Sequence, residues 1–263
     1  SIKKTKGIII TTGPTGSGKT TTLYSILNTI NKPEIKIITI EDPIEYHLSG
    51  IMQTQIDIEK GYTFSAAMRS LMRQNPNVIM VGEIRDSETA KTAIEASMTG
   101  HLVLSTIHAN SAAGSIARFV GLDVERQALA SSIECAMGQR LVRRICKNCK
   151  TEVETTPELL EQVKKVLSGI NEKANIEIPK QLKFYKGKGC EKCNGIGFKG
   201  RIGIYEVIDM TPEMQKLIQK SDVTDYDIEE EAMKNGTVLL IQDGILKALQ
   251  GETTPEEVFR VAL

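Results

Sequence analysis

The chain has 263 residues, 40% apolar and 25% charged, with 33 Lys and Arg balanced by 33 Asp and Glu. That is enough for one large globular domain, or one domain with appendages. Zero net charge, 4% aromatics and no Trp argue against a protein that holds nucleic acid or anionic lipid through an overall basic field or base stacking. No apolar run reaches the length of a membrane span. The start at Ser1, without Met and close to the first strand, reads as a processed or excised piece.

Ile8–Thr12 is a short β-branched run expected to form a buried parallel strand. Gly13-Pro14-Thr15-Gly16-Ser17-Gly18-Lys19-Thr20 follows and fits G-x-x-x-x-G-K-[ST] at every fixed position. A helix is expected from Thr20 to Ile30, so strand, glycine loop and helix stand in the order that binds phosphate. The residues Gly13 to Thr21 are therefore the candidate nucleotide cradle. In it Lys19 reaches the β- and γ-phosphates and the Thr20 hydroxyl ligates Mg²⁺, making ATP and Mg²⁺ the expected ligands.

Further strands are expected at Lys36–Glu41, Val78–Gly82 and Leu102–Ile107, alternating with helices at Ser65–Arg73 and Ser87–Met98. Such alternation implies parallel β-α-β units and an α/β fold. The polar stretch from Met52 to Thr63 reads as a loop or an irregular edge hairpin. Each apolar run ends in chemistry. Glu41-Asp42-Pro43-Ile44-Glu45 closes the second strand, and Glu83 closes the third, where it would hold Mg²⁺ through water or polarise the attacking water. His108 falls at the carboxyl end of the fourth strand, on the γ-phosphate side, whereas His101 starts that strand and reads as structural. Arg69, Arg73 and Arg85 are the cationic candidates. Arg69 and Arg73 share a helix face, either as a surface ion-pair face or as arginine fingers acting across a subunit boundary.

Glu125 to Ile145 reads as one long helix with a basic end at Arg140, Arg143, Arg144 and Lys147, and with Cys135 buried as a small apolar residue. The basic end either complements a helix C-terminus or forms an interface. Cys146-x-x-Cys149 and Cys190-x-x-Cys193 then supply four thiolates, the complete shell of a structural Zn²⁺. The long interval between the pairs reads as an inserted lobe stapled at its base, with disulfides the alternative. Three Thr-Pro-Glu sequences, at Thr156, Thr211 and Thr254, announce helices at about 157–168, 212–220 and 255–262, and two more are expected at 225–235 and 240–250.

Taken together, the segments at 13–20, 40–45, 81–86 and 99–108 resemble the Walker A, Asp-box, Walker B and His-box motifs of the secretion superfamily of hexameric ATPases. Residues 139–146 and 200–206 are similar to its type II secretion and type IV pilus assembly branch. The pilus retraction ATPases share the ATP motifs but lack the four cysteines. The resemblance implies a RecA-like P-loop NTPase core over residues 1–145, a tetracysteine zinc lobe over 146–205 and a helical C-terminal region over 206–263. It assigns Glu45, with Glu41 nearby, to water activation, Glu83 to the metal, His108 and His101 to the phosphates, and Arg69 and Arg73 to the nucleotide. It further implies a homohexamer in the cytoplasm, attached peripherally to the inner membrane through a platform protein and other assembly or secretion components, with no nucleic acid. Family members carry an adjoining N-terminal domain that closes over the nucleotide. The expectation for this piece is therefore slow hydrolysis and poor oligomerisation. A nucleic-acid motor and a nucleotide-dependent scaffold with little turnover are the competing functions.

Overall fold

A computed structural model describes residues 5–262. In chain order the elements are β1 (Gly7–Thr12), α1 (Lys19–Ile30), β2 (Ile37–Glu41), β3 (Met52–Gln55), α2 (Phe64–Met72), β4 (Val78–Val81), α3 (Ser87–Met98), β5 (Leu102–Ile107), α4 (Ala112–Val120), α5 (Arg126–Ser132) and β6 (Ile133–Ile145). They continue as β7 (Lys150–Val153), α6 (Pro157–Ser168), β8 (Phe184–Gly187), β9 (Phe198–Asp209), α7 (Pro212–Ile218), α8 (Asp225–Lys234), α9 (Leu240–Leu249) and α10 (Pro255–Ala262). The chain divides into two compact units. The first holds the chain up to Pro14, Lys19–Met137 and Ile208–Glu229, and the second holds Thr15–Gly18, Gly138–Val207 and the chain from Glu230 onward.

The first unit is α/β. Its strands run in the order β3-β2-β4-β5-β1, followed by the first residues of β6 and the last of β9. The pairs β1–β5, β2–β3, β2–β4 and β4–β5 are all parallel. Every residue of β1, β2, β4 and β5 is buried, as a sheet covered on both faces requires. Alternate side chains supply the two faces. Ile9, Ile37, Met80 and Leu104 pack with Leu23, Tyr24 and Leu27 of α1, and Cys135 joins this cluster. Asp86 and Ser111 cap α3 and α4 by accepting from Thr89 N and Gly114 N. The polar stretch after β2 is in part a short edge strand, β3, followed by a single helical turn and an antiparallel bridge between Asp57 and Tyr62.

The expected long helix from Glu125 to Ile145 does not form: α5 ends at Ser132 and the chain continues as the thirteen-residue strand β6. Helical spacing of Leu129, Ile133, Ala136 and Leu141 was compatible with either structure, and tertiary pairing decided for the strand. Glycine at 138 admits the close approach of Glu206, since a Cβ there would stand 2.7 Å from its Oε1 and 2.8 Å from its Cγ. Cys135 is buried as expected, but in a strand. Arg143 and Arg144 consequently complement no helix end. Arg144 Nε pairs with Glu252 Oε2 at 2.6 Å, and the Arg143 guanidinium bonds to Glu257 and lies 4.4 Å from the Phe198 ring centre.

In the second unit β7 and β8 form an antiparallel ribbon in which Lys150 faces Gly187 and Val153 faces Phe184. Because β7 leaves Cys149 and β8 leads to Cys190, the ribbon delivers both cysteine pairs to one end. Residues 154–183 extend from the other end, and their helix α6 starts at Thr156, whose hydroxyl accepts from Leu159 N at 3.3 Å. Val163 and Leu167 of α6 share a core with Phe184, Ile245 and Val258. A second small core joins Val142, Ile204 and Leu240.

Candidate active site and thiolate cluster

The loop after β1 turns through three glycines in the left-handed region, Gly13 (φ 149°), Gly16 (φ 78°) and Gly18 (φ 87°). Only glycine adopts these angles without strain, and they turn successive N–H groups toward one side. Lys19, the first residue of α1, places Nζ 2.9 Å from the Gly13 carbonyl and 3.1 Å from that of Pro14. The Ser17 hydroxyl is buried with no hydrogen-bond partner among the described residues. A concave loop with a lysine over it, an orphaned buried hydroxyl and a helix N-terminus behind it fits a polyphosphate. Thr20 stands in the first turn of α1 with Thr21 after it.

Sheet register brings the acidic and imidazole groups to that edge. Thr12 lies opposite Ile107, which sets His108 beside the start of the loop. Thr12 fastens the two segments: its hydroxyl donates to Ala109 O at 2.8 Å and accepts from Ala109 N at 2.9 Å. On the other side of β5, the Thr106 hydroxyl donates to Gly82 O at 2.8 Å and Ile84 N donates to Thr106 O at 2.9 Å, so Glu83 is held between two fixed peptides. The Glu83 carboxylate is 13% exposed. One oxygen is 2.7 Å from Arg85 Nη2 and the other 3.1 Å from His108 Nε2. Each oxygen thus has one cationic or imidazole partner and keeps acceptor capacity for a metal or a water.

Glu41 and Glu45 occupy different surroundings. Glu41, 3% exposed, accepts from the Tyr24 hydroxyl, from Thr39 Oγ1 at 2.5 Å and from Gln53 Nε2 at 3.1 Å. Burial, and then the Glu41 bond, pushes the Tyr24 hydroxyl well above the usual tyrosine range, so Tyr24 stays a donor. Glu45 is exposed on the loop after the cis Asp42–Pro43 peptide, and its backbone also bonds to Tyr24. Gln53 holds the same loop, donating to Tyr46 O at 3.2 Å and accepting from Leu48 N at 2.6 Å.

Two candidates, His101 and Arg73, lie at the opposite edge of the sheet from the phosphate loop, and a third, Arg69, is engaged with α3. His101 begins β5, at the opposite edge of the sheet, where Nδ1 lies 2.8 Å from Ala96 O and 3.2 Å from Thr99 Oγ1. The strand between His101 and His108 separates them by roughly 20 Å. Arg73 follows the end of α2 at that same far edge, near the residues that lead into β4. Arg69 pairs through Nη2 with Glu88 Oε1 at 2.7 Å, and this bond, more than any other influence, holds the Glu88 carboxyl below its usual range. Tyr24, Gln53, Thr12 and Thr106 were not foreseen. Their signal in the sequence is only adjacency to the motifs, because their partners lie far along the chain.

The four cysteine sulfurs lie within 4.8 Å of one another, with Cys146–Cys190, Cys149–Cys193 and Cys190–Cys193 separations of 3.9, 3.8 and 3.7 Å. These are far longer than a disulfide and match the ~3.8 Å edge of a tetrahedron with ~2.3 Å metal–sulfur bonds. Each pair forms a tight knuckle, closed by Cys149 N donating to Cys146 O and Cys193 N to Cys190 O, both at 3.1 Å. Backbone N–H groups of Cys190 and Gly197 also point at Cys193 Sγ, at 3.2 and 3.3 Å. The Asn148 amide beside Cys190 brings its thiol down to about 6, whereas burial pushes Cys149 up to about 12. Gly187 and Gly197 allow the backbones behind the knuckles to touch, since a Cβ on Gly187 would lie 2.0 Å from Gly197 O. Four soft ligands in this geometry fit Zn²⁺ and leave no open coordination position.

A glycine loop between β1 and α1, at the carboxyl edge of a mostly parallel sheet and flanked by a carboxylate and an imidazole, defines a phosphate-loop α/β protein. Sequence comparison narrows the class. The family model described as Type II/IV secretion system protein matches residues 1–260, and this chain belongs to that family. It is 46% identical over 257 residues to a protein of Thermus thermophilus named Type IV pilus assembly ATPase PilB, covering 98% of this chain and 28% of that one. It is 44% identical to a Pseudomonas aeruginosa protein named Type II secretion system protein E, covering 99% of this chain and 49% of the relative. The chain thus spans half or less of these relatives' length. Among solved structures, the pilus retraction motor PilT with bound ADP aligns at a TM-score of 0.68 and 27% identity, over all of this chain and 62% of PilT.

Proposed function

We propose that this chain is the ATP-hydrolysing part of a motor for type IV pilus assembly or type II protein secretion. The observation that carries the reading is the Glu83–His108–Arg85 cluster, held by β4 and β5 at the same sheet edge as the glycine loop. On this reading the core is RecA-like. Gly13–Thr21 cradles the phosphates, Lys19 neutralises them, and Thr20 with Glu83 would hold Mg²⁺. When bound, Mg²⁺ supplies charge neutralisation on the phosphate oxygens. Glu45, on its exposed loop beside Tyr24, takes the proton of the attacking water, and His108 senses the γ-phosphate through its bond to Glu83. Glu41 acts by anchoring Tyr24. Arg69 and Arg73 supply positive charge to a neighbouring subunit's site, which makes the working form a homohexamer.

The four thiolates bind Zn²⁺ as a structural staple, and their presence favours assembly or export over pilus retraction. ATP-driven movement is passed to an inner-membrane platform protein, and the motor stays on the cytoplasmic side without a span of its own. Among the described residues no helix is long and apolar enough to cross a membrane. Phosphate release from Mg-ATP tests the reading: the chain should hydrolyse ATP, and Glu83→Gln should abolish turnover while leaving nucleotide binding intact. No hydrolysis by the chain at any concentration would refute it.

A further inference from the structure

Gln139 lies on β6 and is 2% exposed. Its Nε2 donates to the Ser17 carbonyl at 2.7 Å, joining residues 122 apart in sequence. The same nitrogen stands 3.0 Å from where a Cβ on Gly18 would be, and Leu141 closes the other side at 3.7 Å. A buried amide on a strand is costly unless it is bonded, and here the bond goes to the phosphate loop.

The consequence follows from peptide geometry. The Ser17–Gly18 bond is trans, so its C=O and N–H point in opposite directions. Fixing the carbonyl on Gln139 turns the Gly18 N–H, at the opposite edge of the peptide, away from β6. Loops of this kind bind phosphate through such N–H groups, and a peptide free to flip would present a carbonyl oxygen to the anion instead. The closeness of Gln139 and the positive φ of 87° together exclude a side chain at Gly18.

We propose that Gln139 is a positioning residue for nucleotide polyphosphate, orienting the Ser17–Gly18 peptide so that its N–H faces the β-phosphate. This rests on the nucleotide reading above. It predicts a selective defect, because adenosine and the α-phosphate do not depend on that peptide.

The test is titration of the 263-residue chain, Gln139→Met, Gln139→Glu and Lys19→Ala with ATP, ADP and AMP, alongside thermal denaturation without nucleotide. Gln139→Met keeps the length and removes the donor, so ATP and ADP should bind about tenfold more weakly, as expected for one lost hydrogen bond. AMP affinity should match wild type, and the nucleotide-free Tm should fall by a few degrees, the cost of leaving the buried Ser17 carbonyl unpaired. Gln139→Glu, of the same shape, loses the donor only when its carboxyl is ionised, so titrated well above the carboxylate range it should show the same selective loss, and it carries the test should Gln139→Met misfold. Unchanged ATP and ADP affinity in a folded variant overturns the proposal, as does an equal loss for AMP. If wild type and Lys19→Ala both fail to bind ATP, the nucleotide reading itself falls, and this proposal with it.

Discussion

Glu83 is a carboxylate with both oxygens already committed, one to Arg85 at 2.7 Å and one to His108 at 3.1 Å. A side chain so held is well aimed, and each oxygen keeps a lone pair for a further ligand. His108→Ala should therefore free one oxygen of Glu83 and lower turnover through loss of aim, with ATP affinity changed little; equal loss of binding and turnover would point to a phosphate contact instead. Glu83→Gln removes the charge that would hold Mg²⁺ while keeping the shape, and turnover should fall to background. The sequence located Glu83 and His108 correctly at strand ends because a buried apolar strand that stops at a polar residue marks its own edge. It could not distinguish Glu41 from Glu45. Glu41 ends the strand and Glu45 follows it, yet Glu41 is sealed under Tyr24, Thr39 and Gln53 while Glu45 is exposed, and those donors come from three separate elements.

Among elements, β6 separates what patterning can and cannot say. Its apolar residues suit either a strand or a helix, and the choice is made by pairing partners that no local window contains. By contrast, the helices beginning at Thr156, Thr211 and Thr254 were legible because a cap is a local bond, here to Leu159, Met214 and Glu257 N–H groups. The end of β6 is tied to α10 through Glu257, which bonds Arg143 and Arg260. Burial alone would raise this carboxyl, but the two guanidiniums outweigh it and bring it to about 2. A folded value below the unfolded one means that the stabilisation is complete above about pH 4.5 and is lost as pH falls toward 2. The second unit should accordingly lose on the order of 3 kcal/mol across that window, and Glu257→Gln should flatten this limb in acid denaturation. A wild-type acid profile that already matches Glu257→Gln would remove Glu257 from the account. Gly138→Ala should destabilise the same strand by about 1–3 kcal/mol, because the added methyl meets Oε1 and Cγ of the buried Glu206 side chain, which must shift to admit it. Chemical denaturation measures this directly.

At the scale of the whole molecule, the thiolate cluster and the phosphate loop are separate devices on one chain. Elemental analysis should find about one zinc per chain, and removing it should loosen the second unit while the first keeps its sheet. Retention of full stability after metal removal would deny the thiolates a structural role. The cluster was fully legible because four cysteines in two C-x-x-C pairs have few other uses, whereas its ribbon β7–β8 was not, since four-residue strands carry little pattern. Arg69 and Arg73 give the strongest reason to look beyond one chain. Arg69 is paired with Glu88 and Arg73 stands at the far edge of the sheet, and on the proposed reading both serve a neighbouring subunit's loop. The central claim is therefore a hydrolytic site completed by association. Phosphate release from Mg-ATP, measured as the chain concentration rises, tests this most directly. The account predicts specific activity that climbs with concentration and drops to background in Glu83→Gln, and specific activity that stays constant with concentration, or equals that of Glu83→Gln, would contradict it.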